Sequence, residues 1–486
     1  MLVRLICVCG IILLHNNMES IIKFIEWWFV GFPKAVDSRI GKLSLRSYGL
    51  EAPFVILVWF VFVLWLFVHP DAASMVGTML AVIVPFFLPF LLRALFAETR
   101  MEYYWLREYN RQEYVVLEIK LPEEINQTPF AMELVLRGLY QTGTAGGTDY
   151  HKAIGEMPAW FSLEMVSTEG RVHFYVWTRK QYRSLVENQF YAHYPNVQVV
   201  EVPDYTLKVP LDPAVMTMGG IEFTLQKPDP YPILTYVEIG MDKPGTKEEF
   251  KHDPMASILE FLGSMKEGEN EWIQFIIRAH DTDMACSVAP IDPKTKEPID
   301  PVSLDKWADM EVIAINKKAE VEKEVDGKKT KTQDFFKLTE VDRNQQKAIQ
   351  NKLNKQLFEV GIRALYIAKK DKSQGTAGIG QASVFRSFEH GAGGRGLNGL
   401  KPVFWIGPFI FPWHDFENIR KHMLWERFYD AYVTRQFFYP PHKHSFMVLN
   451  SEELATLFHL PGKVAQTPTL QRMPSKRSEA PSNLPI

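Results

Sequence analysis

Apolar positions along this chain fall into three regimes. Between Ala52 and Leu92 they form two nearly unbroken runs, from Glu113 they alternate or recur every three to four residues, and after Leu460 they thin out. The first run, "APFVILVWFVFVLWLFV" from Ala52 to Val68, carries no charge, and each Val, Ile, Leu or Phe favours insertion into a bilayer by about 0.3–0.6 kcal/mol. The second, "VGTMLAVIVPFFLPFLL" from Val76 to Leu92, follows the turn "HPDAASM" and ends at Arg93; Pro85 and Pro89 predict a kink inside it. Residues 52–97 therefore read as a hairpin of two transmembrane helices. Lys34, Arg39, Lys42 and Arg46 precede the pair, Arg93, Arg100, Arg107 and Arg111 follow it, and the turn has no lysine or arginine, so both ends are expected on the cytoplasmic side.

The first 51 residues support more than one reading. "LICVCGIILL" behind Arg4 has the character of a signal-peptide core, yet no small-x-small cleavage site follows it. Ile21, Phe24, Ile25 and Trp28 recur at helical spacing and predict an interfacial helix; its rival is a further span, which would invert the topology.

After a juxtamembrane linker over 98–112, the pattern changes to that of a packed α+β body. "YVVLEIKLP" alternates as a strand, "PFAMELVLRGLY" has helical spacing, and the glycine-rich "GTAGGT" leads to the strand "AWFSLEMVS". The turn "TEG" returns the chain as "RVHFYVWT", followed by the helix "RKQYRSLVENQFYAHY" and the strand "NVQVVEV". This β-α-β-β-α-β order over 113–206 predicts a ferredoxin-like unit.

A second pass of the same order is expected over 207–460. "IEFTLQ" or "PILTYVEIG" supplies its first strand, "DPMASILEFLGSM" a helix, "EWIQFIIRAH" the second strand and "RALYIAKK" the third. Aligning Gly170 with Gly361 sets Phe174 on Leu365 and Tyr175 on Tyr366, an internal repeat. The insertion over 281–338 mixes acid and base in "INKKAEVEKEVDGKKTKTQ", the signature of a solvated face or loop. "HDFENIRKHMLWERFYDAYVTRQFF" adds a long helix, and residues 461–486 are a proline-rich polar tail. The expected fold class is thus α+β: two transmembrane helices, then two tandem ferredoxin-like (βαββαβ) units, the second with insertions.

Charge and chemistry narrow the function by exclusion. Over 486 residues the formal charge is −3, which favours neither a nucleic-acid nor an acidic partner. Three cysteines make neither a disulfide framework nor a four-ligand zinc site, consistent with a reduced, intracellular body. "GTAGIGQAS" has the glycine interval of a phosphate loop, but Gln381 stands where the lysine must reach phosphate and Ala382 where a hydroxyl must hold magnesium. "EHGAGGRGLNGLKP" follows no parallel strand, so it is not a dinucleotide fingerprint. His442 and His444 share a face if extended, with His414, His422 and His459 in the same quarter of the chain, but no carboxylate stands at a ligand interval. No catalytic residue, metal or cofactor is expected. On "RVHFYVWT", His173, Tyr175 and Trp177 point one way and Phe174 and Val176 the other, so a sheet face left open by the helices could stack bases or pack on another surface.

Several stretches carry a family resemblance. "WFSLEMVSTEGRVHFYVWT", "KPDPYPILTY", "LEFLGSMKEGENEWIQFIIRAH", "GIRALYIAKK" and "LNSEELATLFHLPGKVAQTPTLQRMPSKRSEAPSNLP" resemble the membrane-anchored amino-terminal module that precedes the motor in conjugative DNA-transfer and type IV secretion-like, HerA-type ATPases. The resemblance runs from about Glu113 to the end and implies a non-enzymatic membrane scaffold without its motor, cytoplasmic apart from the hairpin. It implies a hexameric ATPase, either separately encoded and a partner alongside the bilayer or lost with a truncated end of the chain, with self-association and indirect contact with DNA as further partners. Leu454, Phe458, Leu460 and Pro461 become the candidate docking contact, with closure of the second unit's core as their other role. The alternatives are a nucleic-acid-binding membrane protein using His173, Tyr175 and Trp177, or a metal-dependent hydrolase built on the carboxy-terminal histidines.

Overall fold

The computed structural model describes residues 60–65, 67–122, 125, 127–141, 156–194, 196–242, 253–281, 283–291, 298–317, 320–325, 328–333, 338–375, 377–389, 397–404, 418–439, 441–462 and 472–473. The amino-terminal segment over 1–51, residues 52–59 and 66 of the first apolar run, the "GTAGGT" loop, His414 and all of the tail beyond 462 except 472–473 lie outside them.

Chain contacts divide the molecule into two units. One comprises Met1–Leu95 with Pro408–Glu417, the other Phe96–Gly407 with Asn418–Ile486. The described chain is helical over 60–65 and then enters α1 (Pro70–Arg111), a 42-residue helix with Pro85 and Pro89 in its interior, whose residues up to Leu95 belong to the first unit and whose residues from Phe96 belong to the second. The stretch expected to turn does not reverse the chain: His69 N–H donates to Trp65 O at 3.1 Å and Ala73 N–H to His69 O at 3.0 Å, both the i to i−4 bonds of a continuing helix. Beyond the second apolar run α1 continues through Arg100, Arg107, Glu108 and Arg111. Among the described residues no helix is long and apolar enough to cross a membrane. The expected transmembrane hairpin is therefore corrected, and with it the multi-pass placement drawn from it.

The second unit is built on one sheet. Its strands are β1 (Tyr114–Pro122), β2 (Trp160–Thr168), β3 (Arg171–Arg179), β4 (Gln198–Val202), β5 (Met216–Leu225), β6 (Glu269–Ala279), β9 (Leu357–Lys369), β10 (Leu400–Phe404), β11 (Met447–Asn450) and β12 (Arg472–Met473). The separate hairpin β7 (Glu320–Val325) and β8 (Lys328–Gln333) lies within the charged insertion and sets Glu322 opposite Lys331 and Glu324 opposite Lys329. The helices of this unit, after α1, are α2 (Pro129–Gly138), α3 (Arg183–His193), the single turn α4 (Tyr236–Ile239), α5 (Met255–Gly263), α6 (Leu304–Lys317), α7 (Glu340–Leu353), α8 (Ala377–Ser383), α9 (Ile419–Val433) and α10 (Ser451–Leu457).

Strand order across the sheet is β4-β1-β3-β2-β6-β9-β5-β10, every neighbouring pair antiparallel. β11 pairs with the first part of β9, and β12 adds a short parallel pair at the end of β1. The expectation of two tandem units is corrected here. β2 and β6 pair in register from Trp160 opposite Arg278 to Thr168 opposite Asn270, so the strands of both expected units form a single sheet. The expected strand "PILTY" is not a strand; β5 uses "IEFTL".

Alternation along the strands sends side chains to two cores. Phe161, Leu163, Met165, Val172, Phe174, Val176, Ile273, Phe275, Ile362 and Ala364 join one face, covered by α2, α3, α5 and α10. Trp160, Val166, Tyr175, Trp177, Trp272, Ile276, Leu365 and Ile367 join the other, covered by Trp425, Phe428 and Tyr432 of α9, by Phe437 and Phe438, and by Trp105 and Tyr109 of α1. A sheet covered on both faces needs apolar residues at nearly every strand position, which is the burial seen along β2, β6 and β9.

Candidate functional site

Two regions concentrate polar groups inside this body. The first surrounds α10, in the stretch "LNSEELATLFHLPG". Asn450 caps the helix by accepting Glu453 N–H at 2.8 Å, while the Glu453 carboxylate accepts Asn450 N–H at 2.8 Å and Ile233 N–H at 2.9 Å. Lys352 of α7 places its ammonium 3.1 Å from the same carboxylate, both side chains withdrawn from solvent. Ser451 donates to Glu133 of α2 at 3.1 Å; Tyr236 donates to it at 2.6 Å, and Lys355 bridges Glu133 and Glu452 at 2.9 and 2.6 Å. Beyond the helix, His459 lies 3.0 Å from Ala455 O and 3.1 Å from Asp253 Oδ2.

The expected docking residues fall inside this clamp. Leu454, Phe458 and Leu460 are buried in the helix-covered core and Pro461 is buried beside them. Phe458 sets its ring edge-on to Phe174 and Phe275, at centroid distances of 5.9 and 5.8 Å. Their side chains are packed within the chain's own core.

The other region is the second face of the sheet. Here His173, Tyr175 and Trp177 lie along β3, as the alternation requires, but the face they share is closed. Tyr175 is 8% and Trp177 4% exposed; Tyr175 stacks on Tyr205 at 5.1 Å, Trp177 on Tyr114 at 4.4 Å, and His173 Nδ1 lies 2.9 Å from Glu118. α9 and the segments flanking it cover this face, so Tyr175 and Trp177 present no open surface on which bases could stack.

Three arginines run through this covered face. Arg278 on β6 pairs with Glu359 on β9, whose other oxygen lies 3.2 Å from His280 Nδ1. Arg363 on β9 donates to Glu222 of β5 at 2.8 Å and to the carbonyls of Ala431 and Gln436. Arg435, just after α9, donates to Glu164 of β2 at 3.0 Å and to Asp204. Each guanidinium also lies over an aromatic ring: Arg278 over Phe438 at 4.4 Å, Arg363 over Phe437 at 4.8 Å, Arg435 over Tyr205 at 5.5 Å. Burial alone would lower the Arg435 pKa, but the carboxylates of Glu164 and Asp204 hold it well above the usual value. Glu164 further accepts Ser162 Oγ and Gln274 Nε2, so its lone pairs are used. Charges this well saturated fix the sheet against α9.

Sequence reasoning passed over these arginines. The available signal was a lone charge inside an otherwise apolar strand: Glu164 in "WFSLEM", Arg278 in "FIIRA", Arg363 in "GIRALY".

The histidines considered for a metal separate. His442 bonds Asp430 at 2.8 Å, His444 lies 3.4 Å from Glu222, His459 pairs with Asp253, and His422 lies against the Trp425 ring. Burial lowers the pKa of His442 and pushes that of His444 down to about 4. Among the described residues no group of three or more His, Cys, Asp or Glu side chains is placed to hold a metal ion. Burial pushes the Cys286 thiol up to about 12, which leaves it protonated and inert as a nucleophile.

These observations define a class: an α+β protein with one large antiparallel sheet, a carboxy-terminal clamp on one face and an arginine-aromatic layer on the other. The chain belongs to DUF8128, a family described as a domain of unknown function, whose profile matches residues 98–473. No curated protein and no solved structure matches the chain.

Proposed function

We propose that this protein is a non-enzymatic scaffold of a type IV secretion- or conjugation-like translocation system and that it seats a hexameric HerA-like ATPase. The resemblance of the stretches named above suggests the system. One structural observation supports the seating role: the segment leaving α10 starts from a clamp of buried ion pairs and meets the sheet again where Leu121 pairs with Arg472 and Pro122 with Met473. A tail anchored at both points leaves the body at a defined place, which suits a polypeptide that must hold a partner in register. The sequence beyond Met473, "PSKRSEAPSNLPI", is proline-rich and polar, the composition of an extended recognition segment.

Photo-crosslinkers placed between Pro474 and Ile486 in cells of the native host test this reading. Adducts with an ATPase bearing a phosphate loop, lost when residues 474–486 are deleted from the otherwise folded chain, are expected. Crosslinks that never include such an ATPase, or purified protein that hydrolyses ATP unaided, would overturn it.

A further inference from the structure

The helix α8 takes in "AGIGQAS", the later part of the glycine-spaced "GTAGIGQAS" motif that lacks the lysine and hydroxyl of a phosphate loop. It lies over β9, β5 and β10, and Gly380 comes so close to Phe261 of α5 that a Cβ there would sit 2.5 Å from its ring. Two glutamines tie this segment to the end of β6. Gln374, just before the helix, gives its backbone N–H and its Nε2 to Glu269 at 3.1 and 2.6 Å. Gln381, within it, gives Nε2 to Glu271 Oε1 at 2.9 Å.

The two carboxylates are built differently. Glu269 also accepts Tyr366 OH at 2.6 Å and Lys266 N–H at 2.8 Å; burial pushes its pKa up, but these bonds outweigh burial and hold it below the ordinary value. Glu271 is fully buried, and its Oε2 makes no hydrogen bond among the described residues, as is true of Gln381 Oε1. Burial pushes the Glu271 pKa from 4.5 up to about 8, against a small opposing effect of the Gln381 bond.

The charged and titratable groups on the elements around Glu271 do not neutralise it. On β9, Arg363 turns to the opposite face to pair with Glu222 of β5, and Tyr366 serves Glu269. Arg278 of β6 is paired with Glu359, and Tyr432 of α9 lies on the opposite face, hydrogen-bonded to Tyr205. Lys369 and Lys372 stand at the Gly268 turn, Lys401 is exposed on β10 and Glu260 is exposed on α5. The helix itself, "AGIGQAS", has no titratable side chain.

We propose that α8 is a pH-operated latch, closed on the sheet while Glu271 is protonated and released as Glu271 ionises, which uncovers the strip formed by Met265, Tyr366 and Ala368. The sign follows from proton linkage. The closed state holds a proton that the open state gives up, so closure weakens as pH rises above the ordinary carboxyl value, about tenfold per pH unit, and levels off once Glu271 is ionised in both states.

Hydrogen exchange on the full chain between pH 6 and 9, corrected for intrinsic rates, tests the latch. Protection of the amides over 377–383 is expected to fall about tenfold per pH unit up to about pH 8 and then level. Glu271→Gln keeps an oxygen that can accept the Gln381 Nε2 bond but has no ionisable proton, and is expected to give a flat profile; Glu271→Leu serves if that variant folds poorly. A flat wild-type profile, or a slope unchanged in either variant, would overturn the proposal.

Discussion

Lys352 on α7 and Glu453 on α10 face each other 3.1 Å apart with neither side chain reaching solvent. Desolvating two charges costs several kcal/mol, and here the cost is offset by a carboxylate that also accepts two backbone N–H groups, from Ile233 and Asn450. The pair thereby joins α7, the segment before α4 and the carboxy-terminal helix at one point.

Lys352→Met removes one partner and leaves a buried carboxylate. It is expected to cost about 3–5 kcal/mol in urea unfolding. The double variant Lys352→Met, Glu453→Gln should regain a large part of that loss, since no buried charge then stands alone. Equal losses in the single and double variants would show that the pair is not coupled.

The site at His459 predicts a pH dependence. Both ring nitrogens have oxygen partners, Ala455 O and Asp253 Oδ2, so the imidazolium can donate at both ends. Burial works against the charge, but Asp253 overcomes it and the pKa lies above 6.5 in the folded state. A raised folded pKa stabilises fully below the unfolded value and loses that contribution as pH rises through the folded value. The stability gap between wild type and His459→Gln should therefore be widest near pH 5.5 and narrow on the alkaline side, as read by denaturant midpoints across pH.

Arg435 has a positive φ of 51° and holds Glu164 and Asp204 together. Arg435→Met leaves Glu164 buried without a cation and should cost about 3–5 kcal/mol. Arg435→Gly relieves the backbone but removes the same charge, so it should recover no more than about 1 kcal/mol of that. A glycine variant as stable as wild type would show that the ion pairs of Arg435 contribute no more than the backbone relief.

Close approach explains one glycine. A Cβ on Gly361 of β9 would sit 2.5 Å from the Phe437 ring, the same ring that stacks on Arg363. Gly361→Ala should destabilise by about 1–3 kcal/mol through overpacking, and Phe437→Leu in the same chain should relieve part of it. Thermal unfolding of the two variants and wild type decides the point.

Much of the local structure was legible from sequence. The alternation in "WFSLEMVS" and "RVHFYVWT" identified β2 and β3, and "TEG" marked their turn, where Glu169 and Gly170 take positive φ values of 53° and 83°. The helices α2, α3, α5 and α9 announced themselves by spacing. Those signals act over a few residues, and side-chain periodicity records them directly.

What periodicity does not carry is which surfaces meet. The internal repeat placed Phe174 on Leu365, but Phe174 faces the helix-covered core and Leu365 the arginine-aromatic layer; the alignment is off by an odd number of residues, and such a slip exchanges faces. The seam between β2 and β6 and the cover supplied by α9 arise from contacts between residues more than a hundred positions apart, as when Arg435 closes on Glu164. The same holds for the polar groups around α10, which come from α2, α4, α7 and the segment before α5. By itself, then, the sequence determined element types and the alternation of faces. Only the folded chain decided which face would be buried, because burial depends on partners that no short window contains.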